Sequence, residues 1–505
     1  MNQIKKHLQK HFLGYGFTFL AIIFNVILLW LGSYDSLEQN LYDYRLKLRG
    51  PLSGDFIALD DFKDRYNQLD KNKAIKFDYT TENNVVIIGL DQESYENIGR
   101  FYPYNRGIIW AKVVDNLVAA KVEVIVFDIM FDKSTEMDSI FSKSLEMAKK
   151  EGVDVILAAQ NKIETNIKDH NSRLIKPSLE ILSGMNSKLG LVGSISDKDG
   201  FIRRYITFDN TIHDNYQKKY YSLAIQTVAS FTNKEPVVST QGVSIGDLFI
   251  PHFSNQNTFL INYIGPNSYG RIKTFNSVPL YKVLDDCDSY DHNQKLCYSV
   301  LDNLSEAVGY MDDFINQENR NDSVGWIQSG GADPFKNKIA IIGSALKEQH
   351  DVFNTPFNSF YNSGEMYGIE VHANAIQQIL DNNHINVPLS FQGAENNIWD
   401  KIISLFITVL VSISIFYIIT FFKPITSIAL CVLFILIWFN IAMGAFINDY
   451  LWILKSIFGF NLNVPDIGET VVLPIIYPVG AIVFSYAFNL SFKVFTEQRD
   501  KKFFQ

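Results

Sequence analysis

The sequence predicts an α/β protein that combines a doubly wound, mainly parallel sheet of the Rossmann-like kind with four transmembrane α-helices. Two observations lead to this fold class. In the middle of the 505-residue chain, short apolar runs alternate with helical patterns, which is typical of parallel strands joined by right-handed crossovers. Near the two ends lie four charge-free stretches, each long enough to supply the roughly 20 residues that cross a bilayer.

The strands and helices of the sheet region each have a recognisable pattern. Apolar runs predict strands within residues 83–91, 121–129, 153–160 and 336–345, with a further strand at 259–265, at an edge. Helical patterns predict helices at residues 106–121, 137–152 and 367–382. Residues 51–82 and 285–335 are polar and fit neither pattern, so we expect surface insertions there.

The charge-free stretches divide the chain into membrane and aqueous segments. Transmembrane helices are predicted at residues 13–33, 402–422, 424–447 and 471–492. The aqueous segments are then residues 1–12, 34–400, 448–470 and 493–505. A cleaved signal peptide is the alternative for the first helix. Its apolar run is longer than the about 7–15 residues of a signal core and ends in LWLGSYDSL, which favours a retained anchor.

The charges predict an orientation and exclude one class of partner. Basic residues flank the membrane helices at residues 5–10, at Lys423 and at residues 493–502. Because basic flanks remain in the cytoplasm, we expect cytoplasmic termini and an extracytoplasmic domain at residues 34–400. Residues 33–400 carry 35 basic and 49 acidic side chains, a net charge of −14. This acidity argues against a nucleic-acid partner, because phosphate contacts require a basic face.

Polar residues follow the predicted strands at one edge of the sheet. Asp91 follows the first strand, Asp128 closes the second, and Gly343 lies at the end of KIAIIG. The loops at the carboxyl ends of parallel strands form the usual binding crevice. Since a buried carboxylate needs a partner, Arg106, which begins the next helix, is the expected counter-ion of Asp128.

Four further candidates lie near the fourth strand and on the helix that follows it. Asp351 and Thr355, in HDVFNTPF, are expected to brace the loop after this strand, and His372 and Asn374 lie in EVHAN. For all these residues the sequence allows two interpretations, namely scaffolding by caps, loop ties and packing, or contact with a ligand. The chain has no G-x-S-x-G, Walker, H-E-x-x-H or C-x-x-C motif, so we predict no catalytic residue, no metal site and no cofactor.

The cysteines in the second insertion predict a disulfide. Cys287 and Cys297 lie ten residues apart in a segment expected outside the cell, where a loop-closing bond can form. A zinc site that includes His292 is the alternative, although the loop has few further ligands.

Seven segments, in order, resemble the second class of CHASE domains, the extracytoplasmic sensory modules of bacterial receptors. They are LEQNLYDYRLKLRG (37–50), VVIIGLDQESYENIGRFYPYNR (85–106), VIVFDIMFDKSTEMDSIF (124–141), DGFIRR (199–204), LINYIGP (260–266), KIAIIGSALKEQHDVFNTPF (338–357) and GIEVHANAIQQIL (368–380). The two insertions have no counterpart in the family. The resemblance implies a sensor held between one span and a three-span bundle in a bacterial inner (cell) membrane.

The resemblance also implies partners and an output. In relatives a nucleotide cyclase, a histidine kinase or a serine/threonine kinase follows the last span. The tail LSFKVFTEQRDKKFFQ is similar to the lead into a class III nucleotide cyclase, so we expect such an output after residue 505 and no enzyme within the chain itself, with a stand-alone sensor as the alternative. The expected partners are the lipid bilayer, an unknown extracytoplasmic ligand or protein, and a second copy in a homodimer.

Two other classes of function compete with a receptor. One is an assembly protein that holds an envelope or surface partner through its inserted loops, which a deletion of residues 300–330 would test. The other is a membrane-anchored ectoenzyme, which Asp91→Asn and Asp128→Asn would test through lost turnover. We expect these two variants to lose stability instead, because Arg106 would be left uncompensated.

Overall fold

The computed structural model describes residues 2–52, 55–56, 83–98, 104–163, 172–185, 188–213, 216–253, 257–270, 272–284, 333–359, 363–387, 398–449 and 470–503. Most of the two predicted insertions, with Cys287 and Cys297, lies outside these ranges. The chain forms two units. The first unit comprises Met1–Arg49, Phe253–Gln256 and Ile385–Gln505, and the second unit comprises Gly50–His252 and Asn257–His384.

The elements are numbered in chain order. The helices are α1 (Asn2–Trp30), α2 (Asp35–Arg49), α3 (Gln92–Ile98), α4 (Ala111–Ala119), α5 (Asp138–Lys150), α6 (Leu179–Met185), α7 (Leu223–Thr232), α8 (Leu280–Leu284), α9 (Gly368–Leu380), α10 (Ile398–Phe421), α11 (Pro424–Ile447) and α12 (Ile476–Phe503). The strands are β1 (Asp55–Phe56), β2 (Val85–Leu90), β3 (Val124–Asp128), β4 (Asp154–Ile163), β5 (Ser172–Ile175), β6 (Leu189–Leu191), β7 (Ser194–Ser196), β8 (Ile202–Ile206), β9 (Phe208–His213), β10 (Tyr216–Tyr221), β11 (Pro236–Val238), β12 (Gly242–Ile245), β13 (Leu248–Pro251), β14 (Thr258–Leu260), β15 (Ile272–Lys273), β16 (Asn276–Pro279), β17 (Ile339–Ser344), β18 (Val352–Phe353), β19 (Met366–Tyr367), β20 (Ile385–Asn386) and β21 (Thr470–Val471). Short turns of π-helix (Arg106–Trp110) and 3₁₀-helix (Asp333–Phe335, Lys347–Gln349) complete the set.

The second unit is built on a largely parallel sheet, which confirms the predicted fold class. Among the described residues, seven strands form it in the order β16-β2-β17-β3-β4-β5, with β6 paired to β4. All pairs are parallel except β4 with β5. The central strands are buried almost throughout because helices cover both faces.

Side chains alternate between the two faces of this sheet. Ile125 and Phe127 of β3 pack in one core with Leu117 of α4 and Phe141 of α5. Their neighbour Asp128 therefore points to the opposite face, since the side-chain period of a strand is two. On that face, a Cβ added at Gly343 of β17 would lie 3.0 Å from Ile369 Cδ1 of α9 and 3.2 Å from Asp128 Cβ. The absence of a side chain at residue 343 thus lets α9 approach the end of β3.

The edge strand expected at residues 259–265 is confirmed only in part, because β14 is shorter and lies at the edge of a different sheet. The strand β14 ends at Leu260 and pairs antiparallel with β8, in a separate sheet of three described strands. Beyond it, side chains of α9 take the place of a partner strand. The amide N–H of Asn262 donates to Gln378 Oε1 at 2.8 Å, and that of Ile264 donates to Asn374 Oδ1 at 2.8 Å. The edge beside β2 is occupied instead by β16.

The first unit contains four described helices that are long and apolar enough to cross a membrane. Their apolar windows are Phe12–Trp30, Ile402–Phe421, Pro424–Ile447 and Ile476–Phe495. The last helix begins at Ile476 rather than near residue 471, because Thr470 and Val471 pair with β20. Polar pairs link the helices, as is common within membranes. The pairs are Thr18 with Asn489 (3.0 Å), Ser412 with Ser485 (2.7 Å) and Tyr15 with Tyr417 (3.1 Å).

A buried acid on α2 holds the start of α12. Glu38 Oε1 accepts hydrogen bonds from the backbone N–H groups of Ile475 (2.7 Å) and Ile476 (2.5 Å). Arg45, on the same helix, donates to the carbonyl of Leu473 at 2.6 Å. Burial raises the pKa of Glu38, and the charge of Arg45 and the amides of α12 oppose that shift. An acidic group at a helix N-terminus also interacts favourably with the helix dipole.

Candidate ligand-binding site

A cavity of about 310 Å³ lies at the carboxyl end of β3 in the second unit. Its polar lining comes from Asp128, Gln160, Tyr205, Asp351 and His372. These residues are contributed by β3, β4, β8, the segment before β18, and α9. The crevice outside the ends of parallel strands is the usual place for a ligand in a fold of this type.

Asp128 is nine-tenths buried and lacks a close donor. Its side chain is 10% exposed, and its Oδ1 lies 3.6 Å from Nε2 of His372, which is too long for a hydrogen bond. Within the described part of the chain, no hydrogen bond to its carboxylate is formed. Burial raises the pKa of Asp128 to about 7. Above pH 7 this group therefore carries a negative charge, and no cationic side chain lies close to it among the described residues.

Tyr205 sets the orientation of the His372 ring. The phenol hydroxyl hydrogen-bonds Nδ1 of His372, and the rings meet edge to face with centroids 5.5 Å apart. Burial raises the pKa of Tyr205 well above its ordinary value, so the hydroxyl keeps its proton and donates it. Burial lowers the pKa of His372 to about 4, against the opposing effect of Asp351. The neutral imidazole then carries its proton on Nε2, on the side of Asp128.

Asp351 supplies the second carboxylate of the cavity. Its backbone carbonyl accepts from the N–H of Gly368 at 3.0 Å, and a Cβ at residue 368 would collide with its carboxylate. Burial raises the pKa of Asp351 to about 6; the charge of Asp128 also raises it, while His372 lowers it. The site therefore contains two carboxyl groups, those of Asp128 and Asp351, and a neutral His372 near pH 7.

Arg106 is not the counter-ion of Asp128, so this expectation is wrong. Arg106 donates to Asp138 Oδ1 at 2.5 Å, and the Asp138 side chain is fully buried. Asp138 also accepts from Thr135 (2.7 Å) and Ser178 (2.6 Å). Burial tends to raise the pKa of Asp138, but these hydrogen bonds and the guanidinium leave it lowered. Arg106 precedes α4, which packs on the Phe127 face of the sheet, whereas Asp128 points to the other face.

The remaining candidates brace neighbouring segments and do not line the cavity. Asp91 Oδ1 accepts from the N–H of Ser94 at 2.8 Å and thus caps α3. The N–H of Thr355 donates to Asn358 Oδ1 at 2.9 Å. Asn374 holds the segment after β14, as described above. The cavity therefore brings together Asp128, Asp351 and His372 from the predicted set.

Two cavity residues were missed by the sequence reasoning. Tyr205 follows DGFIRR, and its strand is not part of the parallel sheet, so the strand-helix pattern carries no signal for it. Gln160 lies where β4 continues past β3 to pair with β5. In the ranges that the structure describes, no group of three or more His, Cys, Asp or Glu residues could hold a metal ion.

Comparison with known protein families identifies the chain. The CHASE2 domain model matches residues 18–414, which is well over half of the chain. No curated protein and no solved structure shows a match. The matched region includes the whole second unit and therefore the cavity. The chain belongs to the CHASE2 family of extracytoplasmic sensory domains.

Proposed function

We propose that this chain is the input part of a membrane receptor that passes an external stimulus through its four apolar helices to a cytoplasmic output. The stimulus binds in the cavity of the second unit. The output is a nucleotide cyclase, in keeping with the sequence of the tail, and the receptor acts as a homodimer in a bacterial inner membrane. Membership of a sensory family and the presence of four helices able to cross a membrane support this proposal.

The observation that carries the transmission step is the contact of Glu38 with the start of α12. Glu38 lies on α2, which follows α1, and its carboxylate binds the first amides of the last helix. A second connection starts from the cavity, because α9 carries His372 and leads within five residues to β20, which pairs with β21 before α12. A stimulus that prefers one arrangement of these elements shifts the equilibrium by its difference in affinity for the two states.

Cross-linking between α1 and α12 tests this transmission. Thr18 and Asn489 are in contact, so a Thr18→Cys, Asn489→Cys pair reports on their separation through the rate of disulfide formation in membrane vesicles. The native cysteines are replaced by serine. We expect Glu38→Gln to change this rate, because a neutral amide binds the helix start less strongly.

Glu123→Gln is the matched control, since Glu123 is exposed. Equal cross-linking rates in the parent protein, Glu38→Gln and Glu123→Gln would show that the Glu38 contact does not govern the packing of α1 against α12.

A further inference from the structure

We propose that the cavity at Asp128 binds a small organic cation, namely a primary ammonium group on a short aliphatic body. This inference rests on the proposed sensory function and names the chemical class of its stimulus. Three properties of the cavity support it: the sign of its charge, its unsatisfied hydrogen-bond acceptors, and its size and apolar walls.

The charge of the cavity favours a cation. Asp128 and Asp351 both line it, and no lysine or arginine is found among its described lining residues. The arginines of β8 are engaged elsewhere: Arg203 pairs with Asp197 and Asp199, and Arg204 pairs with Asp197. An anion would face two carboxylates, and like charges brought together repel each other.

The hydrogen-bonding groups favour an ammonium over a neutral ligand. In the described structure, the carboxylates of Asp128 and Asp351 receive no hydrogen bond from the protein. The Asp128 side chain is nine-tenths buried, and a buried acceptor is costly unless a donor reaches it. An ammonium group has three N–H donors and no acceptor, and its bonds to carboxylates are strengthened by charge.

The volume and walls limit the body of the ligand. The cavity measures about 310 Å³, near the lower end of the range for small-molecule sites. Val192, Phe353 and Val371 contribute apolar surface to it. A short alkyl chain therefore fits beside the ammonium group.

Calorimetric titration of the full chain in detergent at pH 7.5 tests the proposal with probes of similar length and different charge. The probes are butylamine, 1,4-diaminobutane, 1,4-butanediol and succinate. We expect the two amines to bind and the diol and succinate not to bind. Asp128→Asn should weaken amine binding by at least about tenfold, because it removes the charge but keeps the shape.

Asp132→Asn is the matched control. It removes the same charge from an exposed position four residues away and should bind amines like the parent protein. Asp351→Asn provides an independent test of the second carboxylate, with thermal unfolding recorded for each variant to confirm folding. The proposal is overturned if neither amine binds, if the diol binds as tightly as butylamine, or if folded Asp128→Asn and Asp351→Asn both bind amines normally.

These results can be separated from those on receptor function. If amines bind but leave the rate of cross-linking between residues 18 and 489 unchanged, the site stands and the proposed transmission fails. If Glu38→Gln changes that rate but no amine binds, the transmission stands and the proposed ligand class is wrong.

Discussion

Replacing Asp128 by asparagine should stabilise the second unit at alkaline pH. The pKa of Asp128 is about 7 in the folded protein, against an ordinary value of 3.8. Because the pKa of this carboxyl is raised on folding, its contribution to the free energy of unfolding is fully present below pH 3.8 and is lost as the pH rises through 7. At about 1.4 kcal/mol for each pKa unit, the loss reaches about 4 kcal/mol above pH 7. A neutral asparagine of the same shape avoids this loss.

The titratable groups that face Asp128 do not reverse the direction of this pH effect on stability. His372 has a pKa lowered to about 4, so its own contribution is present above pH 6.5 and is lost as the pH falls toward 4, in the variant as in the parent protein. Tyr205 keeps its proton over the whole range. Asp351 loses a repelling neighbour in the variant, which adds to the stabilisation at high pH.

Thermal unfolding of the full chain in detergent, at pH 5 and pH 8.5, measures the effect. The second unit has roughly 330 residues, and at about 2.1 cal/mol/K of unfolding entropy per residue a change of 1 kcal/mol shifts its unfolding temperature by about 1.4 °C. We expect Asp128→Asn to raise the unfolding temperature by at least about 5 °C at pH 8.5 and by less at pH 5, with no change in Asp132→Asn. An equal fall at both pH values would refute the reasoning, because it would mean that the carboxylate makes a stabilising contact.

Three further outcomes are expected. Asp138→Asn should lower the unfolding temperature strongly, by the equivalent of about 3–5 kcal/mol, because it leaves a buried guanidinium without its carboxylate; a mild effect would contradict the role of this ion pair. A membrane-impermeant reagent applied to intact cells should modify lysines within residues 34–400 but not Lys5, and the reverse result would invert the predicted orientation. Peptide mapping without reduction should find Cys287 bonded to Cys297, and two free thiols would exclude the disulfide.

The sequence patterns predicted the four central strands β2, β17, β3 and β4 because each is a short apolar run, but they did not predict β16, β5 and β6 of the same sheet. They also placed Asp128 at the rim, since a carboxylate after an apolar run marks the end of a buried strand. The face to which Asp128 points depends on which helix covers which side of the sheet. The expected pair with Arg106 failed at this step, because α4 and the Arg106 turn lie on the Phe127 side.

Other features could not be predicted from local sequence because they depend on tertiary contacts made by side chains. The segment at residues 262–264 looks like a strand, but the N–H groups of Asn262 and Ile264 donate to Gln378 and Asn374 of α9. Local pattern does not reveal such a partner more than 100 residues away. The proximity of Asp128, Asp351 and His372 likewise arises from tertiary structure, because β17 pairs with β3 and so brings α9 over the end of that strand.

The central position of β17 has a consequence for biogenesis. Its residues pair with β2 at a sequence distance of about 250 residues, and with β3 at more than 200. A nascent chain therefore displays two apolar strands with vacant edges until synthesis has passed residue 344. Such edges readily pair with other chains. The polypeptide therefore needs protection by chaperones, or slow co-translational assembly, until β17 has been synthesised and the sheet of the second unit can form.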